Sequence, residues 1–257
     1  MLCGINMQRE KRMRILLLDI ESSPNTAHVW GLWQQNVGLK QLMESSYVLC
    51  WAAKWLGEKE VMFDSVHQST PKAMLRGIHA LIDAADAVIH YNGTKFDMPT
   101  LNKEFLLYGL NPPAPYKQID LLRTMRSQFR FPSNKLDYVA QRLGLGAKTE
   151  HEGHELWVKC MNGDKNAWKT MEKYNKQDVV LLEHVYHRVL PWIKNHPNQN
   201  LFAESVCCPT CGGTKLQKRG TAISTVGKYQ RYQCKDCGTW SQATKAETKT
   251  VEIKGAT

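Results

Sequence analysis

Arg14-Ile-Leu-Leu-Leu-Asp-Ile-Glu21 is the stretch of this sequence that decides the fold. An apolar run ends here in two acids that stand two residues apart, and such a run predicts a β-strand. Because side chains along a strand alternate between its two faces, Asp19 and Glu21 are expected to point the same way, while Ile20 turns into the core. The strand is therefore predicted to carry two carboxylates to one place.

Two further segments carry acids in a suitable context. A short β-prone run over residues 87–91 breaks at the turn signal Asn92-Gly93, and Asp97 follows in the first turn of a predicted helix. An acid there also suits the positive end of the helix dipole. Tyr174 and Asp178 stand four residues apart in a segment of helical period, so the phenol and the carboxylate are expected to share one helix face.

The four carboxylates in these segments suit a pair of divalent cations. Mg²⁺ and Mn²⁺ prefer carboxylate oxygens and water, and two such ions about 3.5–4 Å apart stabilise both the attacking and the leaving oxygen of a phosphodiester. Each signal alone has a more ordinary interpretation: a solvated strand end, a turn before a helix, or a surface pair on a helix. Their joint occurrence, each in the right kind of element, predicts one shared metal site.

These segments resemble the motifs of the DEDD-type 3′–5′ exonucleases of the ribonuclease H-like superfamily. The matching segments are Leu18 to Glu21 for the first motif, Asn92 to Asp97 for the second, and Tyr174 to Asp178 for the third. The histidine-bearing subgroup would have a histidine at Lys173, so the resemblance implies the tyrosine-bearing (DEDDy) subgroup.

The resemblance extends over about residues 14 to 190, because Lys135 to Gly144 is similar to a segment that these enzymes carry between their second and third motifs. It is nearest to the stand-alone, polymerase-B-exonuclease-like members. It implies an α/β fold, a ribonuclease H-like mixed sheet flanked by helices, which agrees with the pattern of elements along the chain. That pattern predicts strands at about 14–20, 27–33, 47–56, 60–66 and 87–91, and helices at about 71–85, 96–109, 120–128, 135–143 and 164–189.

The resemblance also implies a role for each catalytic residue. Asp19 would bridge two Mg²⁺ or Mn²⁺ ions. Glu21 and Asp178 would complete one metal site, and Asp97 would serve the other. Tyr174 would orient the attacking water, which fits its ordinary pKa of about 10, since a phenol is then a poor general base at neutral pH.

Four more residues are candidates for contacts with substrate. Asn92 and Phe96 are expected to shape the pocket for the terminal nucleotide. Ser22 and Ser23 follow the first motif where family members contact the substrate 3′ end, and a simple turn closing the strand is the alternative. The acidic and histidine-rich stretch from Glu150 to Glu155 is predicted to be a polar loop before a helix rather than a further metal site.

A second metal site is predicted near the C-terminus. Cys208-Pro-Thr-Cys-Gly212 and Cys234-Lys-Asp-Cys-Gly238 are two Cys-x-x-Cys-Gly knuckles, and four thiolates at this spacing match one tetrahedral structural Zn²⁺. The glycine after each pair permits a tight turn. Two disulfides are the alternative, and Cys207 is a competing ligand for Cys208. We predict zinc on Cys208, Cys211, Cys234 and Cys237.

The segments between and after the knuckles alternate basic, aromatic and polar residues and resemble a zinc ribbon. Residues 201–257 contain nine Lys or Arg and four Asp or Glu. Basic and aromatic side chains suit nucleic acid, because cations neutralise phosphates and aromatic rings stack on bases. Tyr229, Tyr232 and Trp240 are the candidates for stacking, and a small aromatic ribbon core is the alternative interpretation of the same residues.

Composition sets the domain organisation. With 257 residues, 42% of them hydrophobic, and a net charge of +10, the chain can bury one substantial core and a small metal-bound module. We predict a nuclease domain at 14–195 and a zinc ribbon at 205–245, with flexible segments at 1–13 and 246–257. The sequence has no membrane span and no signal peptide, which predicts a cytoplasmic protein.

The predicted function is metal-dependent 3′–5′ exonuclease activity on nucleic acid, with single-stranded DNA preferred to RNA and with the ribbon aiding nucleic-acid or protein binding. A replication, repair or recombination protein is a predicted partner. Two alternatives stay open at the level of sequence: a structure-specific endonuclease or resolvase on the same fold, and a non-catalytic nucleic-acid-binding adaptor.

Overall fold

A computed structural model of the chain describes residues 13–149 and 152–249, which divide into two compact units. The first unit runs from Arg14 to His187, and the second contains the described residues from Arg188 onward. Of the two segments predicted to be flexible, 1–13 and 246–257, residues 1–12 and 250–257 lie outside the described residues. So do Glu150 and His151 of the predicted polar loop.

The first unit is built on one five-stranded mixed sheet. In chain order the strands of the whole unit are β1 (Ile15–Ser22), β2 (Thr26–Ala27), β3 (Leu42–Glu44), β4 (Val48–Trp55), β5 (Met62–Ser65), β6 (Ala87–His90) and β7 (Lys117–Asp120). The sheet order is β5-β4-β1-β6-β7, with β2 and β3 forming a separate two-stranded ladder. Strand β1 is central, antiparallel to β4 and parallel to β6.

Six α-helices accompany this sheet within the described residues. They are α1 (Pro71–Asp83), α2 (Asp97–Leu107), α3 (Leu121–Gln128), α4 (Leu136–Arg142), α5 (His154–Met161) and α6 (Lys165–Val189). Side-chain caps fix the first residues of two of them. The Thr70 hydroxyl caps α1, whose first residue is a proline, and the Asp120 carboxylate caps α3. None of the helices in the described part of the chain is long and apolar enough to cross a membrane.

The two faces of β1 separate the core from the site. Leu16, Leu18 and Ile20 belong to a buried cluster that includes residues of α1 and α2. Asp19 and Glu21 alternate with them and are therefore on the opposite face. A second buried cluster joins residues of β4 to Trp168 and Met171 of α6. The predicted inward orientation of Ile20, which is almost fully buried, is confirmed.

The predicted fold class is confirmed, and three local predictions differ from the structure. The strand predicted at about 27–33 is wrong: pairing stops at Thr26–Ala27, because the following β-prone side chains find no neighbouring strand within the described residues. Strand β7 was not predicted, since only its last two residues are buried and no alternation is visible. Helix α5 was also missed, because eight residues give too short a period to recognise.

The second unit contains the cysteine knuckles and a small antiparallel sheet. Its strands are β8 (Leu216–Ile223), β9 (Gly227–Cys234), β10 (Trp240–Gln242) and β11 (Thr248–Lys249). Strand β9 pairs with each of the other three. Two short 3₁₀ turns, Leu190–Trp192 and Gln199–Phe202, precede the first knuckle.

Candidate metal centres

Three of the four predicted carboxylates form one cluster. Oxygens of Asp19, Glu21 and Asp178 lie within 4.8 Å of one another. Strand β1 supplies the first two from its C-terminal half, and α6 supplies the third from its middle. This group could hold a metal ion, since its ligand atoms are all of the type that hard divalent cations prefer.

Asp97 lies beside this cluster rather than in it. It is the first residue of α2 and is buried, and its Oδ1 accepts a hydrogen bond from the backbone amide of Ile20 at 3.2 Å. Asn92 fixes the turn before the helix. Its φ of 71° is in the left-handed region, and its backbone amide donates a hydrogen bond to Asp120 Oδ1 at 3.0 Å. The turn thus places a fourth carboxylate against the backbone of β1 at Ile20, the residue after Asp19.

Burial and mutual repulsion shift the acids strongly. Burial is the largest cause that raises the pKa of Asp19, and the charges of Asp178, Asp97 and Glu21 raise it further. The pKa of Glu21 rises to about 8, chiefly through burial and then through the charge of Asp178. Burial also raises the pKa of Asp97 to about 7. Among the described residues, the four carboxylates here share a single nearby ammonium, that of Lys148, and the excess negative charge is costly away from water, so the donor set fits divalent cations that would neutralise it.

We expect the stability of the metal-free protein to fall as pH rises from about 5 to about 8. Glu21 and Asp97 have ordinary pKa values near 4, so between those values and their raised folded values the folded state holds protons that the unfolded chain has released. Stability then decreases with pH, by up to a few kcal/mol for such a group. Thermal unfolding in a chelator at pH 5 to 8 measures this.

Glu21→Gln is the matched control for this pH dependence, since the amide cannot ionise. The variant should lose less stability than the wild type over the same pH range. Mg²⁺ or Mn²⁺ should stabilise the wild type more at pH 8 than at pH 6, because metal and proton compete for the same oxygens. Equal pH dependence of the two proteins would contradict the expected ionisation of Glu21.

Lys148 is a member of the site that the sequence did not reveal. Its ammonium pairs with Asp178 Oδ2 and donates to the hydroxyl of Tyr174 at 3.1 Å. Burial alone would lower the pKa of Lys148, but the charges of Asp178 and of neighbouring groups raise it above its ordinary value. Its backbone amide donates to Asp137 Oδ1 of α4 at 2.9 Å, which holds the loop in place. Lys148 is therefore a charged, partly buried cation at the edge of the acids.

Tyr174 lies with its hydroxyl among these charges. Burial raises its pKa well above the ordinary value, and the charges of Glu21 and Asp178 raise it further. Its ring packs edge-on against Trp157 with centroids 5.9 Å apart. The raised pKa keeps the phenol neutral at physiological pH, so it is poorly suited to act as a general base.

Asn175 is a second residue that the sequence did not reveal. It is fully buried, and its Nδ2 donates to Asp19 Oδ2 at 2.7 Å. Its position three residues before Asp178 on α6 places the amide on nearly the same helix face, which is the only signal that could have suggested it. The amide fixes the orientation of the Asp19 carboxylate.

The four residues predicted to contact substrate stand at two places: Asn92 and Phe96 just before α2, and Ser22 and Ser23 at the end of β1. Asn92 is half-buried in the turn before α2, and Phe96, the N-cap residue of α2, is 44% exposed. Ser23 is buried, and its hydroxyl accepts from the amide of Tyr47 at 2.9 Å. Its amide donates to the carbonyl of the same residue at 2.9 Å. These bonds tie Ser23 to Tyr47 just after β1 ends, which agrees with the turn interpretation. The pairing of β1 with β4 shifts register between Glu21 and Ser22.

A cleft opens beside Asp19. It has a volume of about 580 Å³ and is lined by Asp19, Tyr91, Arg126, Asn134, Lys135 and Lys148, among others. One wall is tied together by Tyr91, whose hydroxyl donates to the carbonyl of Asn134 at 2.6 Å. Two acids, Asp19 and Asp137, and three basic side chains line the cleft, so it offers both a metal ligand and contacts for anionic phosphates.

The four knuckle cysteines form a separate cluster. The Sγ atoms of Cys208 and Cys237 are 3.7 Å apart, and those of Cys211 and Cys234 are also 3.7 Å apart. A tetrahedron with Zn–S bonds of about 2.3 Å has edges of about 3.8 Å, so the spacing fits zinc. All four are free cysteines in the structure, and both distances are far longer than a disulfide bond of about 2.05 Å. Cys207 is outside the group.

Both knuckles use their glycines as expected. Gly212 and Gly238 have φ values of 74° and 79°, in the left-handed region that glycine adopts at no steric cost. The next residue in the first knuckle, Gly213, donates its amide to the Sγ of Cys211 at 3.3 Å. An amide directed at a sulfur stabilises the thiolate that a metal requires.

The aromatic candidates of the ribbon differ in exposure. Trp240 is 48% exposed, and the guanidinium groups of Arg219 and Arg231 lie 5.5 and 5.2 Å from its ring centroid. Tyr229 and Tyr232 are half-buried. Trp240 is therefore not a core residue, and it forms a basic aromatic face on the sheet together with two arginines.

Comparisons with known proteins agree with this architecture. A family model described as the RNase_H superfamily matches residues 17–190. A search of curated proteins finds no match. Among solved structures, the family B DNA polymerase from the hyperthermophilic archaeon Pyrobaculum calidifontis is similar in fold, with 17% identity and a TM-score of 0.53 over 86% of this chain and 33% of that chain.

This chain thus corresponds to about a third of the length of that polymerase. The family match is more informative, because it extends over more than half of the chain and includes all four of the predicted acids. It also includes Tyr174, Asn175 and Lys148. The chain belongs to the RNase H superfamily.

Proposed function

We propose that this protein is a metal-dependent 3′–5′ exonuclease that acts on single-stranded nucleic acid, with DNA preferred to RNA. The observation that carries the proposal is the convergence of partly and fully buried carboxylates from β1, α2 and α6 beside a cleft that Asp19 and three basic side chains line. Membership of the RNase H superfamily supports a hydrolase acting on nucleic acids.

The acids supply the metal ligands in this proposal. Asp19, Glu21 and Asp178 would hold one Mg²⁺ or Mn²⁺ ion, and Asp19 with Asp97 would hold a second. Such ions lower the pKa of a bound water and stabilise charge on the phosphate. Asn175 keeps the Asp19 carboxylate in one orientation through its 2.7 Å hydrogen bond.

Two further side chains act on the reacting groups themselves. Tyr174 is neutral and would hold the attacking water by its hydroxyl. Lys148 donates to that hydroxyl, so the lone pair of the phenol oxygen is engaged and its proton is directed away from the ammonium. The Lys148 ammonium also places a fixed positive charge beside the acids, where it would help to hold an anionic phosphate.

The 3′–5′ polarity of degradation and the preference for DNA rest on separate observations. The 3′–5′ direction follows from the resemblance of the three acid-bearing segments to the DEDDy motifs. The preference for DNA is supported by similarity in fold to a structure named as a family B DNA polymerase. Asn92 and Phe96, in the turn and at the boundary before α2, are proposed to receive the terminal nucleotide.

The ribbon is proposed to bind nucleic acid in addition to the active site. Trp240 offers an exposed ring for stacking, and Arg219 and Arg231 flank it with positive charge. Arginine over an aromatic ring is a common feature of surfaces that bind single strands. The four-cysteine zinc site would keep this sheet folded.

We expect Tyr174→Phe to slow hydrolysis by about 10-fold to 100-fold while leaving divalent-metal binding nearly unchanged. The substitution removes only the hydroxyl that positions the water, and misplacing a reacting group by about 1 Å can cost up to about 100-fold in rate. Rates on a labelled oligonucleotide and Mn²⁺ titration by calorimetry measure the two quantities separately. A fully active variant would leave Tyr174 without a catalytic role, and loss of metal binding would make that role structural.

A strand labelled at its 5′ end tests the proposed function. Incubated with Mg²⁺ or Mn²⁺, it should yield a ladder of products that shorten by one nucleotide at a time. A few discrete internal cuts would instead indicate a structure-specific endonuclease. Binding without hydrolysis in either metal would indicate an adaptor. Parallel assays on single-stranded and double-stranded DNA and RNA would test the substrate preference.

A further inference from the structure

The segment between β1 and β4 forms an excursion from the sheet, here called the β1–β4 loop and comprising residues 24–46. Its base is closed where Ser23 and Tyr47 exchange backbone and side-chain hydrogen bonds. The β2–β3 ladder continues this pairing, and the amide of His28 donates to the carbonyl of Gln41 at 2.9 Å. The loop is therefore anchored at its base and projects beyond it.

The far part of this loop exposes large apolar side chains. Trp30 is 98% exposed and Trp33 is 85% exposed. The other exposed apolar residues of the loop are Val29, Leu32, Val37, Leu39 and Met43. Contiguous exposed apolar side chains mark binding surfaces, because leaving them in water is unfavourable. Two nearly bare tryptophans within four residues indicate a ligand with flat faces.

The chemistry around Trp30 indicates what that ligand is. A hollow of about 530 Å³ is lined by Ala27, His28, Val29, Trp30, Lys40 and Gln41. It combines an aromatic ring, an ammonium and an imidazole, and residues 26–43 contain no acid. A nucleotide has a flat base for the ring and an anionic phosphate for the cation. A hollow of this size falls in the range that accommodates small molecules.

The loop is also continuous with the active site. Strand β1 carries Asp19 and Glu21, and the loop begins only three residues after Glu21. Lys103 of α2, which also pairs with Glu104 Oε1 at 2.9 Å, contacts the carbonyl of Ser46 and ties α2 to the base of the loop. A single strand of nucleic acid whose end reaches the acids would therefore pass close to the base of the loop.

We propose that Trp30 and Trp33 stack on bases of the single strand upstream of the end that enters the acidic site, with Lys40 contacting the phosphate backbone. This proposal rests on the proposed nuclease function for its substrate, but the contact itself is one of binding. The loop would add affinity for longer strands and hold them while the terminal nucleotide is removed.

Fluorescence anisotropy with labelled oligothymidylates of increasing length tests the proposal, with the divalent metal chelated so that no hydrolysis occurs. Each stacked base is worth about 10-fold in affinity, so Trp30→Ala with Trp33→Ala should weaken binding of a long strand by about 100-fold. The gain in affinity from short to long strands should largely disappear. Thermal unfolding checks that the variant is folded.

Two further variants separate stacking from simple apolar contact. Trp30→Phe with Trp33→Phe keeps aromatic faces and should retain most of the affinity, whereas the double substitution to leucine keeps apolar character and should not. Leu201→Ala, which removes an exposed apolar side chain elsewhere, should bind like the wild type.

Unchanged binding by the alanine variant would overturn the proposal. So would full affinity in the leucine variant, or a wild-type dimer that the alanine substitutions dissociate, since the tryptophans would then serve an apolar protein contact. If the protein hydrolyses no strand but the alanine variant loses affinity, the exonuclease proposal fails and the stacking surface stands. If hydrolysis proceeds and binding is unaffected, only the stacking surface fails.

Discussion

Asp19→Asn is expected to abolish hydrolysis of nucleic acid in both Mg²⁺ and Mn²⁺, with a loss of about 10³-fold or more. Asp19 is proposed to contact both metal ions, so removing its charge weakens both sites at once and forfeits several kcal/mol of transition-state stabilisation. Rates on a labelled single strand measure the loss. The asparagine is nearly isosteric, and its carbonyl oxygen can still accept the hydrogen bond from Asn175.

The same variant should be more stable than the wild type when no metal is present. The substitution puts an uncharged amide at a position where burial and three neighbouring acids disfavour a carboxylate. Thermal unfolding in a chelator should therefore show a higher midpoint for Asp19→Asn, and added Mn²⁺ should raise the midpoint of the wild type more. An inactive variant that is also less stable would point to misfolding, and one that keeps a tenth of the wild-type rate would remove Asp19 from the centre of the mechanism.

Cys208→Ser is expected to release zinc and unfold the ribbon sheet. Structural zinc contributes about 10–16 kcal/mol to the apparent folding free energy of small zinc-finger peptides, far more than a sheet this small could supply by burial. Zinc content by atomic absorption should fall to near zero after dialysis. Amide hydrogen exchange in β8 and β9 should become fast.

Cys207→Ser is the matched control, because it changes the adjacent residue in the same way. Cys207 is buried but lies outside the four-sulfur group, and its Sγ contacts Asn200 Oδ1 at 3.5 Å. This variant should keep its zinc and its slow exchange. Zinc loss in Cys207→Ser with retention in Cys208→Ser would reverse the assignment of the ligand.

The spacing of residues was enough to predict which side chains share a face of β1 and which share a face of α6. Alternation along β1 placed Asp19 and Glu21 on one face, and the four-residue spacing on α6 placed Tyr174 and Asp178 together. These local rules hold because backbone geometry fixes the direction of each side chain. The mixed sheet flanked by helices followed from the order of elements and from the resemblance to a family.

Other parts of the site depend on contacts between residues distant in the chain and have no local pattern. Lys148 lies in a loop after α4, and only the fold brings its ammonium to Asp178. Asn175 was visible within the third motif, but its hydrogen bond to Asp19 depends on how α6 packs against β1. The strand predicted at about 27–33 is wrong for most of its length, because β-prone residues such as Trp30 favour pairing in a sequence even where the fold gives them no partner strand.

The central claim is that Asp19, Glu21, Asp97 and Asp178 form one two-metal site. Anomalous diffraction from crystals soaked in Mn²⁺ tests it most directly. We expect two peaks about 3.5–4 Å apart that share Asp19, with Glu21 and Asp178 on one ion and Asp97 on the other. Crystals with well-ordered carboxylates and no anomalous peak within reach of Asp19 at saturating Mn²⁺ would contradict the claim.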